Sequence, residues 1–186
     1  KTEVKDPKIE AIIIATPPSV RFDLAIQALK ADKHLLLEKP ISLYGQDLDE
    51  LQRISIKQSL SIAVDFEYRA VPLFMQAKEI ISNNILGNPW LVKLDWLMSS
   101  RADESREWNW YSEKEEGGGV IGALGTHAID MLNWLIGPTI EISSINSTSI
   151  KERYDKNTKK LKEVSSEDIC LAQLILSYGN KKHEVP

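Results

Sequence analysis

The chain has 186 residues, a formal net charge of -4 and hydrophobic residues at 42% of its positions, which is ordinary for a globular protein. Its weakly acidic balance argues against nucleic-acid binding, and its longest apolar runs are far shorter than the ~20 residues that span a bilayer. The single cysteine, Cys170, excludes an internal disulfide, and no Cys/His cluster has metal-ligand spacing. We therefore expect a cytoplasmic protein without a metal site, a nucleic-acid partner or a membrane partner.

The first third of the chain alternates strand-like and helix-like segments. Residues 9–15 form a continuous β-branched run, typical of a parallel strand whose two faces are both covered. Ser19 is suited to cap the helix that follows. Strands separated by helices predict right-handed βαβ crossovers, so residues 1–68 are predicted to be a partial α/β, Rossmann-like domain. The predicted strands cover 9–15, 34–37 and 61–66, and the predicted helices cover 20–31 and 47–56.

The rest of the chain, residues 69–186, has a different pattern. Long β-rich segments joined by a charged hairpin predict an α+β domain with a mainly antiparallel open sheet. The predicted helices cover 72–83 and 117–135, the predicted strands cover 90–98, 140–150 and 169–178, and residues 101–116 are predicted to be a long loop of functional length.

Two motifs follow the first two predicted strands. Thr16-Pro17 ends the first strand and Glu38-Lys39-Pro40 ends the second. Ligands bind at the carboxyl ends of strands in open α/β sheets, and Lys39 lies at such an end, where a substrate hydroxyl could be polarised or deprotonated. The alternative is a surface lysine paired with Glu38, and its position alone does not separate the two.

The predicted helix 117–135 begins with three glycines and carries His127. Backbone N–H groups at a helix N-terminus attract anions, although a hinge loop gives the same three-glycine string. His127 follows small residues that leave room for a ligand, but a lone helical histidine is more often a core or interface residue. Asp130, three positions on, could orient His127 or could anchor the helix to a loop.

An aromatic cluster lies in the predicted loop. Trp108, Asn109, Trp110 and Tyr111 are consecutive, and they fit a sugar-binding wall and a packed lid equally well.

Taken together, these strings resemble the Gfo/Idh/MocA family over nearly the whole chain. AIIIATPPSVRFDLAIQALKADKHLLLEKP resembles the family's strand, Thr-Pro turn, helix and Glu-Lys-Pro signature. VDFEYRAVP is similar to the crossing into the second domain, and GGGVIGALGTHAIDMLNWLIG is similar to the catalytic helix. Each string alone is weak, but their order and separation are specific in combination.

The resemblance implies an oxidoreductase that uses NAD or NADP and oxidises a carbinol carbon of a sugar, a cyclitol or a derivative. It implies that Lys39 contacts the reacting hydroxyl and that His127 is its acid–base or polarising partner. Cofactor contacts would come from Thr16, Pro17, Glu38, Lys39 and Pro40. For the substrate, we add Trp108, Trp110 and Asp130 as candidates, and we expect a homo-oligomer, with residues 140–150 as a candidate surface.

Three departures from the family pattern stand out. Ala123 occupies the position, four residues before His127, where the family commonly has an acidic residue, and Arg21 stands where a histidine is usual. No G-x-G-x-x-G turn occurs in the chain. We therefore expect a central fragment that lacks the glycine-rich turn and the C-terminal end. Either it self-associates through its exposed apolar edge and face, or the segments missing from the sequence are present and cover that surface.

Two alternatives to the enzyme remain open. A non-catalytic relative that serves as a ligand-sensing or protein-binding module is favoured by Ala123 alone. An unrelated α/β domain with chance motifs is the other.

Overall fold

A computed structural model describes residues 3–179 and 183–185 of the chain. The described residues fall into two compact units. Unit 1 runs up to Asp65 and includes Glu115–Gly117, while unit 2 contains Phe66–Lys114 and the chain from Gly118 onward. The sequence placed the division between residues 68 and 69.

The helices of the described residues are α1 (Pro18–Leu29), α2 (Gly45–Gln58), α3 (Pro72–Ser82), α4 (Ser99–Ala102) and α5 (Thr126–Leu135). The strands are β1 (Ala11–Ile14), β2 (His34–Glu38), β3 (Ile62–Asp65), β4 (Thr139–Ser147), β5 (Glu152–Asp155), β6 (Lys160–Glu163), β7 (Ile169–Tyr178) and β8 (His183–Val185). Short 3₁₀ turns cover Glu3–Lys5, Glu67–Ala70, Trp110–Ser112 and Lys114–Glu116, and a π-helical turn covers Ile121–Gly125. Within these described ranges, no helix combines the length and the apolar character that crossing a bilayer requires.

Unit 1 contains a parallel sheet of three strands in the order β1-β2-β3, as predicted. In the register, Ile14 is opposite Leu37 and Glu38 is opposite Asp65, so the carboxyl ends of the three strands lie along one edge. The core combines strand residues with residues of α1 and α2. Its buried members are Ile14, Ala25, Ala28, Leu29, Leu35, Leu37 and Leu51.

Two details of unit 1 differ from the sequence interpretation. The sequence predicted a β1 strand with both faces covered, but in the described residues Ile13 is 72% exposed, as expected of a fragment with an exposed apolar surface. Both helices pack into the core that contains Ile14, so the opposite side chains of β1 face outward. Ser19 is not the N-cap of α1, because the helix already begins at Pro18 with Pro17 as its N-cap. Ser19 Oγ instead donates to Glu116 Oε2 at 2.5 Å.

Unit 2 contains an antiparallel sheet in the order β4-β7-β8 and the separate hairpin β5–β6. Strand β4 pairs with β7 over almost its full length, which confirms the antiparallel prediction. The charged segment between the long strands is the β5–β6 hairpin and its turn.

The strand predicted at residues 90–98 is wrong. This segment has no regular secondary structure, and Trp90 and Leu97 are 79% and 92% exposed. A strand needs a hydrogen-bonded neighbour, and none of the described strands pairs with this segment.

The predicted glycine-led helix divides into the π-helical turn and α5. Thr126 Oγ1 donates back to the Gly122 carbonyl at 2.9 Å, which satisfies one acceptor within the turn. Turns of this kind often occur at functional sites inside helices. Here it lies directly before His127.

Candidate functional site

In unit 1, the predicted cofactor residues lie where parallel strands end. Thr16 and Pro17 follow β1, Lys39 follows β2 directly, and the Lys39–Pro40 peptide is cis. Thr16, Glu38, Lys39 and Pro40 are all half-buried. The two loops occupy neighbouring positions on one edge of the sheet because β1 pairs with β2 in parallel.

The buried side chain of Arg21 links these two loops. It is 2% exposed, and it donates to the carbonyl of Glu38 at 2.7 Å and to the carbonyls of Pro40 and Thr16. Burial lowers the pKa of the Arg21 guanidinium, and the nearby Glu38 carboxylate opposes that shift. The guanidinium, with its several donors in one plane, thus joins backbone acceptors from both loops.

The side chain of Thr16 offers a test of whether a cofactor fits this edge. Its Oγ1 is buried and has no hydrogen-bond partner among the described residues. Buried hydroxyls are normally hydrogen-bonded, and a group without a partner is costly. A polar group of a nicotinamide cofactor would supply that partner, so the residues present fit the cofactor.

In unit 2, His127 lies on the first turn of α5 and is 4% exposed. Three aromatic rings surround the imidazole. Tyr68 and Phe66 meet it edge to face at centroid distances of 4.8 and 5.8 Å, and Trp96 is tilted at 6.4 Å. The rings restrict both the orientation of the imidazole and its access to water.

A carboxylate also faces this imidazole. Glu67 Oε1 lies 3.7 Å from His127 Nε2, and the Glu67 side chain is 54% exposed. Glu67 begins the 3₁₀ turn Glu67–Ala70, which packs against α5. The sequence interpretation did not include Glu67 among the site residues.

Asp130 binds Arg69 with both carboxylate oxygens. Arg69 Nε donates to Oδ2 at 2.8 Å and Arg69 Nη2 donates to Oδ1 at 2.5 Å. The hydrogen bond to Asp130 raises the pKa of Arg69. This bidentate pair links the 3₁₀ turn to α5, which is a geometry that fits an anchor, and the orienting role that the sequence also left open stays a prediction.

Gly119, just before the π-helical turn, allows the side chain of Glu167 to pack against the backbone. Glu167 lies where a Cβ on Gly119 would be, and Gly119 has a φ of +102°. The Glu167 carboxylate accepts from the backbone N–H of Ile121 at 2.9 Å. The start of this helix is therefore capped by a side chain of the same chain.

The two candidate tryptophans have different surroundings. Trp108 Nε1 donates to the Glu163 carbonyl at 3.0 Å, and Lys162 Nζ lies 3.3 Å from the centre of its ring. Trp110 is 39% exposed and packs only obliquely on Tyr111. Trp108 is thus packed on the β5–β6 hairpin, whereas Trp110 keeps an accessible face.

A cavity of about 420 Å³ lies between α5, the segment 91–96 and one face of β4 and β7. Its walls are mostly apolar, with Leu94, Ile129 and Leu174 among them. Within residues 3–179 and 183–185, no group of three or more His, Cys, Asp or Glu side chains is placed to hold a metal ion.

The parallel unit and its strand-end loops define a Rossmann-like, NAD-binding domain, followed by a domain with antiparallel sheets. Residues 2–66 match the family model of an oxidoreductase family with an NAD-binding Rossmann fold. Residues 74–182 match the GFO/IDH/MocA C-terminal domain. The chain belongs to the GFO/IDH/MocA family of oxidoreductases.

Relatives agree with this assignment. The chain is 40% identical to an uncharacterized oxidoreductase of Synechocystis, over 92% of this chain and 47% of that protein. It is 30% identical to the levoglucosan dehydrogenase of Pseudarthrobacter phenanthrenivorans, over 81% of this chain and 39% of that enzyme. A solved complex of levoglucosan dehydrogenase with NADH and levoglucosan superposes with a TM-score of 0.81 and 27% identity, over 96% of this chain and 47% of that one. The chain thus spans less than half the length of these relatives.

Sequence reasoning did not place two residues, Arg21 and Glu67, at the candidate sites. Arg21 was noted only as a departure from the family histidine, yet a long cation in an apolar helix such as α1 is itself a signal of a buried partner. Glu67 had no comparable signal. Its neighbour, His127, is 60 positions away, and only the fold brings the two together.

Proposed function

We propose that the chain is the central part of an NAD(P)-dependent dehydrogenase that oxidises a carbinol carbon of a sugar, a cyclitol or a derivative. The observation that carries the proposal is the placement of Lys39. It directly follows β2 in a parallel sheet, beside the Thr16 loop that follows β1. Open α/β sheets bind ligands at this edge.

Oxidation of a carbinol removes a hydride from carbon, which an oxidised nicotinamide accepts, and a proton from oxygen, which a base in the site accepts. Thr16, Pro17, Glu38, Lys39 and Pro40 would hold the nicotinamide end of the cofactor. Arg21 supports them by fixing the carbonyls of Thr16, Glu38 and Pro40.

Lys39 and His127 are the proposed catalytic residues. The Lys39 ammonium stabilises the negative charge that develops on the substrate oxygen, and one such acid–base group contributes about 100- to 10,000-fold to a rate. His127 is the polarising or proton-accepting partner, and its aromatic surroundings keep water away. That these two side chains meet at one pocket in the full-length protein stays a prediction.

The sugar-like substrate class is supported by the relatives. Levoglucosan dehydrogenase is among them, and its solved complex contains NADH and levoglucosan. We propose Trp110 as an aromatic face for a sugar ring, because its surface is accessible. The substrate contacts proposed for Trp108, which packs on Lys162, and for Asp130, which binds Arg69, stay predictions.

The proposal includes a cytoplasmic homo-oligomer. Ile145 and Leu171 are directly opposite each other on β4 and β7, and they are 75% and 68% exposed. An apolar cross-strand pair on an open sheet face is typical of a surface that a second copy covers. Self-association of the isolated chain through β1, where Ile13 is exposed, also stays a prediction.

One alternative has a specific observation in its favour. Ala123 cannot supply the carboxylate that the family commonly has at this position. A ligand-sensing or protein-binding relative would keep the fold, and it would bind cofactor or sugar without turnover.

The test uses the full-length protein. We expect saturable binding of NAD or NADP, and reduction of the bound nicotinamide in the presence of a panel of sugars and cyclitols. Lys39→Ala should lower kcat about 100- to 10,000-fold and leave cofactor affinity within about threefold.

A matched control is Lys30→Ala, because Lys30 is an exposed lysine just after α1. Cofactor binding without turnover on any member of the panel supports the alternative. An unchanged kcat in Lys39→Ala removes the catalytic role from Lys39.

A further inference from the structure

Two carboxylates lie near His127 in the chain fold: Asp130 on α5, which binds Arg69, and Glu67, which faces the imidazole. The proposed catalytic residues do not include Glu67. We propose that Glu67 is a positioning residue for His127, which holds the imidazole in place and stabilises the positive charge that it acquires with a proton. This inference rests on the proposed function, because it assigns a partner to the proposed catalytic histidine.

The first argument is distance and direction. Glu67 Oε1 lies 3.7 Å from His127 Nε2, which is an ion-pair separation and slightly beyond a hydrogen bond. An opposite charge within about 4–6 Å favours the charged form of a titratable group.

The second argument is burial. His127 is 4% exposed and has aromatic rings against its imidazole, whereas the Glu67 side chain is 54% exposed. A protonated imidazole in such surroundings lacks solvent to stabilise it, so a carboxylate at its edge has a large effect. The exposed end of Glu67 also gives the buried ring a polar neighbour in contact with water.

The third argument is rigidity. The Arg69–Asp130 pair ties the 3₁₀ turn Glu67–Ala70 to α5, and Asp130 lies one helical turn after His127. The backbone position of Glu67 relative to His127 is therefore fixed by a bidentate contact two residues away. A general base whose orientation is set by a third group is a common catalytic arrangement.

The titratable groups in contact with the imidazole include Glu67 and Tyr68 from the 3₁₀ turn, and the Arg69–Asp130 pair is the charged pair between that turn and α5. Arg69 is neutralised by Asp130. Glu67 supplies a negative charge at the ring itself, and for this reason it is the residue to change.

The experiment compares Glu67→Gln with wild type in the full-length protein. Gln keeps the shape of the side chain and removes its charge. We expect kcat to fall at least about tenfold, a part of the 100- to 10,000-fold that one acid–base group contributes, with cofactor affinity unchanged. Glu79→Gln is the matched control, since Glu79 is an exposed glutamate on α3.

Two further variants separate a partner of His127 from a structural residue. In a His127→Ala background, Glu67→Gln should have little additional effect, because residues that act as a unit are not additive. In a Glu67→Gln background, Ala123→Asp should restore part of kcat, since position 123 is about one helical turn before His127. An equal fold-loss with and without His127 overturns the inference.

A measurement that does not depend on turnover shows whether a negative result contradicts this inference or the proposed function. The ¹⁵N shifts of the imidazole report whether the ring is charged. We expect the charged fraction of His127 near neutral pH to fall in Glu67→Gln and to stay unchanged in Glu79→Gln. An unchanged charged fraction overturns the role of Glu67 even in an active enzyme. A wild type that oxidises no sugar or cyclitol, but shows the expected change in the ring, contradicts only the proposed function.

Discussion

The two units organise their candidate site residues in opposite ways. In unit 1, a buried cation holds backbone carbonyls, because Arg21 binds three of them at the ends of β1 and β2. In unit 2, a buried imidazole lies among side chains, with Phe66, Tyr68 and Trp96 around His127. The site of unit 1 is therefore defined mainly by backbone geometry, and that of unit 2 by side-chain identity.

This difference indicates how each unit responds to substitution. Loss of a side chain that holds loops should change loop stability and cofactor affinity. Loss of a side chain in an aromatic pocket should change turnover first, because the helix that carries it is held by other contacts. Substitutions in each unit test that contrast.

The largest expected effect is on turnover in His127→Ala. We expect kcat to fall about 100- to 10,000-fold in the full-length enzyme, while cofactor affinity stays within about threefold. His34→Gln is the control, because His34 is an exposed histidine on β2. A large loss of cofactor affinity in His127→Ala would break the contrast between the two units.

Arg21→Met should act through stability and binding instead. Removing the guanidinium leaves the partly buried carbonyls of Thr16, Glu38 and Pro40 without this donor, at a cost of about 3 kcal/mol in unfolding free energy. Urea unfolding and hydrogen exchange of the two loops measure this change. We expect cofactor affinity to fall more than kcat.

Arg21→Lys is the matched variant, since a lysine keeps the charge but cannot reach three acceptors in one plane. It should recover only part of the lost stability. If Arg21→Met unfolds at the same urea concentration as wild type, the guanidinium does not hold the loops.

Asp130→Asn tests whether Asp130 is an anchor or orients His127. Both of its oxygens bind Arg69, and the arginine side chain is 49% exposed, so screening by solvent limits the contribution of the pair to about 1 kcal/mol. We expect a small loss of thermal stability and a kcat within about threefold of wild type. Arg69→Gln should reproduce both results, whereas a loss of turnover as large as that of His127→Ala would favour the orienting role.

The same contrast explains why more of unit 1 than of unit 2 could be predicted from the sequence. The strands and helices of unit 1 are predicted by local apolar runs such as residues 9–15 and by the order of the βαβ segments. The position of the two candidate loops is predicted because each comes directly after a strand. In unit 2, the apolar run at 90–98 resembled a strand, but pairing depends on a neighbour that local sequence does not specify. The contact between Glu67 and His127 likewise depends on packing between distant segments, and no local pattern indicates it.

The smallest expected effect lies in the turn between β5 and β6. The backbone N–H of Asn157 donates to Asp155 Oδ1 at 2.9 Å and Thr158 Oγ1 donates to Oδ2 at 3.0 Å. The hydrogen bond from Asn157 is the main cause that lowers the pKa of Asp155, opposed by burial and assisted by Thr158. Because the folded state favours the charged carboxylate, this stabilisation is complete above the ordinary Asp pKa of about 3.9 and is lost as pH falls through the lowered value.

Asp155→Asn should therefore lower the Tm slightly at neutral pH, and the difference from wild type should shrink at more acidic pH. Differential scanning calorimetry across that range measures it, with Asp49→Asn on the exposed face of α2 as the control. Since the contacts of Asp155 lie within the turn, kcat should not change. A Tm difference that grows toward low pH would contradict the sign, because it would require Asp155 to be stabilised in its protonated form.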